Sequence, residues 1–379
     1  MDNVTNGIHL ATWLGDPMRR LYDDYLPTKW YEQQYEKTIW ESVKSIADSE
    51  MWQAHQVQKG KLIDAIKKLF VAQYSLRNES KKLINASLKS LTHDTLLIGL
   101  SRRFTAYKRN NLFLLDKEHL ARILTNEKRP VVILIAGKAH PADSLGKDLI
   151  REIIEVLRLD IFRGHIIFLE EYNIGLAKLL VQGVDVWLNT PILGREACGT
   201  SGMKVGVNGG INFSTKDGWW EEAYNEKIGW QIESLVTIRD LAKRADVENM
   251  YLLDTLEFEI IPLYYRFNRY GFNPEWVAKM KASLALIAGQ YNTCRMVKEY
   301  INNLYIPLVL RNEQLLRGSC SDLNAIIAWQ RRLIERFNTI KVKAIFVNGI
   351  KNGKITSHGL LRVKIILYVG KMNPNELQV

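Results

Sequence analysis

Between residues 96 and 214 the chain alternates short apolar runs with longer stretches of helical spacing, and few folds accommodate that order. The runs are LLIGL at 96–100, VVILIA at 131–136, HIIFLE at 165–170, VDVWLN at 184–189 and GGINFS at 209–214. Between them lie DKEHLARILTNE, ADSLGKDLIREIIEVLRL and NIGLAKLLVQG, whose apolar residues recur every three to four positions. A continuous apolar run is a strand buried on both faces, and the helices between the runs supply the crossovers. The pattern therefore predicts an α/β fold built on a parallel sheet covered on both sides.

In such sheets ligands bind beyond the carboxyl ends of the strands. Ser101, Arg102, Arg103 and Lys108 follow the first run. Gly137, Lys138 and His140 follow the second, and Glu171, Tyr172 and Asn173 the third. The fourth leads into GREACGTSGMKVGVNGG at 194–210, with six glycines. Cations and glycines gathered at one edge predict a crevice for an anion such as phosphate. Lysine and arginine total 52 against 41 acids, a formal charge of +11. No block of like charges and no interleaving of arginine with aromatics accompanies that excess, so nucleic acid is not an expected partner.

Cys198, Cys294 and Cys320 are odd in number and irregular in spacing, which predicts neither a disulfide framework nor a metal site and suits the cytoplasm. The first residues, MDNVTNGIHL, lack the basic-then-apolar order of a signal peptide, and VVILIAG at 131–137 is too short to span a bilayer. No membrane partner is expected.

The flanks divide the rest. Residues 1–92 read as two or more amphipathic helices, 93–246 as the Rossmann-like sheet domain and 247–340 as helices, with 322–340 a separate one. Residues 341–379 read as a partial β element, two strands KVKAIFVNGI and LLRVKIILYV joined across KNGKITSHG.

The glycine-rich segment is not a phosphate loop of the nucleotide-binding kind, because Thr200 stands where that motif needs its lysine. It offers hydroxyls at Thr200 and Ser201 and, one helical turn beyond Thr200, Lys204. A helix opening at Thr200 would aim backbone N–H groups at an anion while Lys204 met a carbonyl on the same ligand. Pyridoxal 5′-phosphate has both ends.

EACGTSGMKVGVNGGINFSTKDGWWEE closely resembles the cofactor-lysine signature of the α-glucan (glycogen, starch or maltodextrin) phosphorylases, in the wording of their short bacterial and archaeal branch. TNGIHLATWL, SRRFTAYKRNNL, LIAGKAHPAD, FLEEYNIGLAKLL and YNTCRMVKEYINNLY match the same family in the same order, so the resemblance covers roughly residues 3–310. It implies the glycosyltransferase-B architecture, with two facing Rossmann-like domains, and a hexosyltransferase. Such an enzyme uses inorganic phosphate to release glucose 1-phosphate from an α-1,4-glucan, with a pyridoxal 5′-phosphate whose phosphate takes part in the proton relay. Carried over by position, the resemblance implies that Lys204 would be the Schiff-base lysine. Thr200, Ser201, Gly202 and Arg102 would hold the cofactor phosphate, and Tyr172 would lie near its ring. Arg103 and Lys108 would be the catalytic pair on the substrate phosphate, and Glu196, Cys198 and Gly199 would contact the glucosyl unit.

The departures are specific. Cys198 stands where the family usually has serine, and Thr105 and Asn173 replace residues that are often basic or imidazole. His9 and His140 are read as structural hydrogen-bonding groups. Residues 1–92 are read as the helical remainder of the family's N-terminal domain and its crossover, and most of that domain is unmatched. The chain is therefore expected to be a C-terminal fragment or half of the enzyme, with little or no activity unless a second chain supplies that domain. The alternative is a non-catalytic remnant or subunit that binds pyridoxal phosphate or glucan. A nucleotide-sugar glucan synthase of the same architecture is disfavoured by GTSGMK. A homo-oligomer is left open.

Overall fold

A computed structural model describes residues 3–349, 360–373 and Glu376. The link KNGKITSHG lies outside the described residues. Six strands form one parallel sheet: β1 Leu96–Ser101, β2 Val131–Ala136, β3 Ile166–Leu169, β4 Val186–Asn189, β5 Ile211–Thr215 and β6 Gly229–Ile232, in the order β3-β2-β1-β4-β5-β6. The five apolar runs are the first five strands. β6, GWQI, was not expected: it is a four-residue edge strand whose Gln231 interrupts the apolar pattern.

Every residue of β1, β2, β4 and β5 is buried, and the alternation of side chains splits them between two cores. Leu96, Ile98 and Leu100 of β1 join Val131, Ile133 and Ile135 of β2 in the larger core. Leu97, Val132 and Leu134 face the other way, onto Leu62, Ile63 and Ile66 of the helix Asp48–Leu76 and Leu180 of the helix Ile174–Gly183. Fully burying one such side chain stabilises the fold by about 1.5–3 kcal/mol, so the two cores dominate its energetics.

β1 pairs with β2 on one side and β4 on the other. The chain winds away from β1 in opposite directions at that point, which opens a crevice at the carboxyl ends of β1 and β4. Gly99 in mid-strand adapts β1 to this neighbour. A Cβ there would lie 2.9 Å from the Trp187 indole and 3.0 Å from Val184.

The opposite end of the same strand pair carries a buried ionic cluster. Asp185 precedes β4, and its carboxylate pairs with Lys59 Nζ at 2.7 Å and His55 Nε2 at 3.0 Å. It also accepts the Leu97 N–H at 2.8 Å. The Lys59 ammonium donates to the Tyr264 hydroxyl at 2.7 Å, and the His55, Lys59 and Asp185 side chains are fully buried. One carboxylate thus joins the helix Asp48–Leu76, β1, β4 and the helix Ile261–Tyr264.

The N-terminal segment is stitched to the same body. Ile8 forms a parallel bridge with Asn292, its N–H donating to Tyr291 O at 2.8 Å. Arg295 donates to Thr5 O at 2.8 Å. Met1–Glu299 accordingly forms one compact unit, and Tyr300–Val379 a second. The second unit contains the helix Ile306–Phe337 and an antiparallel pair, β7 Lys341–Asn348 with β8 Arg362–Tyr368. The helix expected to begin at 322 is the end of this longer one, because the small polar residues near 320 do not terminate it.

Burial opposes the charge on Asp185, but Lys59, His55 and the Leu97 N–H outweigh it and hold the carboxyl below its ordinary value of 3.8. A depressed folded-state pKa stabilises the fold above the unfolded value, and that contribution fades as pH falls through the folded one. Asp185→Asn leaves Lys59 buried without a counter-charge and should cost about 3–5 kcal/mol in urea unfolding at neutral pH. The gap between wild type and variant should narrow below about pH 4. A gap that stays constant with pH would show that the charge is not the source.

Candidate active site at the carboxyl ends of β1 and β4

The loop leaving β1 turns inward at once. Arg102 is buried, with 8% of its surface exposed, and its guanidinium donates to Lys108 O at 3.3 Å and to the side-chain oxygen of Asn189, the last residue of β4. Both acceptors are neutral. Burial pushes the pKa of Arg102 down to about 10, with Glu196 offsetting part of the penalty. A short helical turn, Ala106–Lys108, then carries Lys108 back over the site, where its ammonium lies 2.6 Å from Glu196 Oε2.

Glu196 comes from the loop that follows β4, and Asp217 fixes that loop. The Asp217 carboxylate accepts the backbone N–H groups of Arg195 at 3.0 Å and Glu196 at 2.9 Å. Beside it Gly218 takes φ +58°, and a Cβ there would lie 2.4 Å from Cys198 O. That contact lets the Trp219 N–H reach the same carbonyl at 3.1 Å. Cys198 is half-buried, and burial pushes its thiol pKa up while hydrogen bonding from Asn6 opposes the rise.

Thr200 precedes the helix Ser201–Gly206 without a side-chain cap. Ser201 Oγ accepts from Trp187 Nε1 at 3.0 Å, so the indole admitted by Gly99 also positions this hydroxyl. Gly202 is buried against the Asn212 side chain. Lys204 points elsewhere: its ammonium lies 3.9 Å from the centroid of Trp13, and burial lowers its pKa. Trp13 is held by its carbonyl, which accepts from Asn208 Nδ2 at 2.9 Å.

Arg102, Lys108, Glu196, Cys198, Gly199 and Ser201 therefore line one pocket. Lys204, half-buried Thr200 and buried Gly202 are not on its wall, though Gly202 lies against Trp219, which is. Arg103 is exposed and also lies off the wall. Tyr172 packs on the smaller core. His9 bonds Thr12 locally at 2.8 Å, and His140 accepts the Ala142 N–H at 3.1 Å. Asn173 caps the helix that follows it.

Asn189, Asp217 and Trp13 were not anticipated. Asp217 stands beside a glycine in KDGWW, a turn signal that marks a loop without naming its partner. Asn189 closes its apolar run, so its position at a strand end was a usable signal.

The sequence profile described as "Carbohydrate phosphorylase" matches residues 1–230. The chain belongs to the carbohydrate phosphorylase family. The maltodextrin phosphorylase of Thermococcus litoralis is 36% identical over 382 residues, covering 100% of this chain and 43% of that protein. The glycogen phosphorylase of Aquifex aeolicus is 41% identical over 309 residues, 82% of this chain and 44% of its own length. That of Mycobacterium bovis is 29% identical over 377 residues. The chain thus spans 43% of the length of the first of these phosphorylases and 44% of the second. Its single six-stranded parallel sheet, flanked by helices, fits one Rossmann-like half of a glycosyltransferase-B enzyme. Among the described residues no helix is long and apolar enough to cross a membrane.

Removing the Asp217 carboxylate frees two backbone N–H groups and the loop that carries Glu196. In Asp217→Ala, amide hydrogen exchange at Arg195 and Glu196 should accelerate by about tenfold or more while the strand amides stay protected. Unchanged exchange at those two amides would show that something else holds the loop.

Proposed function

We propose that this chain carries the cofactor and phosphate side of an α-1,4-glucan phosphorylase, a hexosyltransferase that forms glucose 1-phosphate from glycogen or maltodextrin and inorganic phosphate. The observation that carries the reading is Arg102: a buried cation at the sheet's switch point, hydrogen-bonded to neutral groups and overlaid by Lys108. An anion bound there would gain charge-assisted hydrogen bonds and relieve a desolvated charge. Family membership supports a glucan as the second substrate.

The residues fit pyridoxal 5′-phosphate. Buried Ser101 Oγ and Asn212 Nδ2 have no hydrogen-bond partner among the described residues, and both belong to strands that end at this edge. Lys204 has no acidic partner there and is shifted by burial towards the neutral amine that covalent attachment requires. Lys204 would hold the cofactor covalently, with Thr200, Ser201, Gly202 and Arg102 on its phosphate and Tyr172 near its ring. When bound, the group would supply a phosphate able to relay a proton to the substrate phosphate.

The other roles belong to side chains of this chain. Lys108 would bind the substrate phosphate, joined by Arg103, whose exposed side chain is free to swing inward. Glu196 would accept hydrogen bonds from glucosyl hydroxyls, beside Cys198 and the backbone of Gly199. Arg102 and Lys108 would offset the repulsion between two neighbouring phosphates. The division into 1–92, 93–246, 247–340 and 341–379 belongs to the same proposal, as does a cytoplasmic setting, where Cys198, Cys294 and Cys320 stay thiols.

Borohydride reduction after incubation with pyridoxal 5′-phosphate should place a pyridoxyl group on Lys204 by peptide mass spectrometry. A label on another lysine would sink the assignment.

Positioning a glucosyl unit against phosphate is worth about 7–11 kcal/mol of barrier when both walls of a site are present. The 379-residue polypeptide should release little glucose 1-phosphate from maltodextrin by itself and more beside the N-terminal part of a relative such as the Thermococcus protein. Robust turnover by the single chain would contradict this. Labelling without turnover in either arm would favour the non-catalytic reading.

A further inference from the structure

Arg109 follows Lys108 directly, yet the phosphate reading gives it no part. We propose that Arg109 and Glu248 are positioning residues for the anion site. Arg109, pinned by its ion pair with Glu248, ties the backbone of Lys108 to the loop leaving β4 through the carbonyls of Thr190 and Pro191, and so holds the Lys108 ammonium at Glu196. The inference rests on the phosphate reading of the pocket.

The geometry has three parts. Arg109 has φ +46°, a left-handed conformation that a non-glycine residue keeps only where its surroundings impose it. Its guanidinium then ties its own loop to two other segments. Nε donates to Thr190 O at 3.0 Å, Nη2 donates to Pro191 O at 2.8 Å, and Nη1 pairs with Glu248. The Glu248 side chain, from the helix Leu241–Thr255, is fully buried, and its second oxygen accepts from Ser234 Oγ.

The two loops are tied again at the backbone carbonyls of 107–109. Thr190 Oγ1 donates towards Lys108 O at 3.1 Å and Arg109 O at 2.9 Å, and the Ile192 N–H donates to Tyr107 O at 2.8 Å. These ties fall on 107–109 and 190–192, the segments that deliver Lys108 and Glu196 to the pocket. They leave the Arg109 guanidinium engaged at all three nitrogens, with its charge matched by Glu248. Arg109 is therefore not a free anion ligand. It acts through Lys108.

Arg109→Lys tests this without stripping Glu248 of its counter-charge. A lysine keeps a cation for Glu248 but cannot also reach the carbonyls of Thr190 and Pro191. Inorganic phosphate is titrated calorimetrically into wild type, Lys108→Ala, Arg109→Lys and Glu248→Gln, with thermal unfolding and pyridoxyl loading of Lys204 followed in parallel. Arg109→Lys and Glu248→Gln should each weaken phosphate binding by about tenfold, and Lys108→Ala by more. Loading of Lys204 should be unchanged in Arg109→Lys, a split that general destabilisation would not produce.

Wild-type phosphate affinity in Arg109→Lys, with binding lost in Lys108→Ala, would refute the positioning role and leave the phosphate reading standing. A loss of phosphate binding matched by an equal loss of pyridoxyl loading would also refute it. No phosphate binding by wild type, or equal binding by wild type and Lys108→Ala, would remove the phosphate reading and this inference with it. If Glu248→Gln fails to fold, Arg109→Lys carries the test.

Discussion

The carboxylate of Asp185 is the point through which the fold is tied. It sits where β1 and β4 begin and receives an ammonium, an imidazole and a backbone N–H from three directions. Such a cluster is expensive to form, since each charge loses its water, and it stabilises only while every partner is present. In return it specifies an arrangement. The helix Asp48–Leu76 cannot slide along the sheet without separating Lys59 and His55 from Asp185, whereas its leucines and isoleucines could repack after a small shift. The register that this cluster sets at one end of β1 and β4 fixes where the other end of the same strands opens.

At that other end the site is assembled by contacts that pass through the sheet. Gly99 leaves room for Trp187 on the neighbouring strand, and Trp187 holds the hydroxyl of Ser201. Asn189, at the end of the same strand, holds Arg102. Asp217, brought alongside by β5, holds the loop of Glu196. The groups facing the pocket come from distant stretches of sequence, but the strands fix their spacing. A rigid sheet edge displaying loops that carry the reactive side chains is the usual division of labour in this architecture.

How much of this was legible in the sequence depends on whether a residue's role is set locally. The strands β1 to β5 were readable because burial on both faces leaves an unbroken apolar run. β6 was not, since an edge strand of four residues with Gln231 in it carries no such mark. Arg102, Lys108, Glu196 and Ser201 could be placed at one edge because strand ends are local features. Asp217 and Glu248 could not, because a carboxylate that caps a loop looks like any other until the loop is folded onto it. Lys59, His55 and Asp185 look like ordinary surface residues in the sequence; only tertiary structure shows that they are buried together. Arg103 and Tyr172 also follow strand ends, with their roles taken from the resemblance, and in this structure neither lines the pocket.

The ion pair between Lys108 and Glu196 has a thermodynamic consequence of its own. Each side chain is at most 15% exposed, so each charge is largely shielded from water and compensated by the other. An anion that draws Lys108 away leaves a poorly hydrated carboxylate eager for hydrogen-bond donors, and a donor that satisfies Glu196 leaves an ammonium eager for an anion. Linkage requires the two preferences to be reciprocal: whatever one ligand gains from the presence of the other, the other gains in equal measure. Two ligands of opposite character meeting there would therefore favour one another, and either one alone would first have to break the pair.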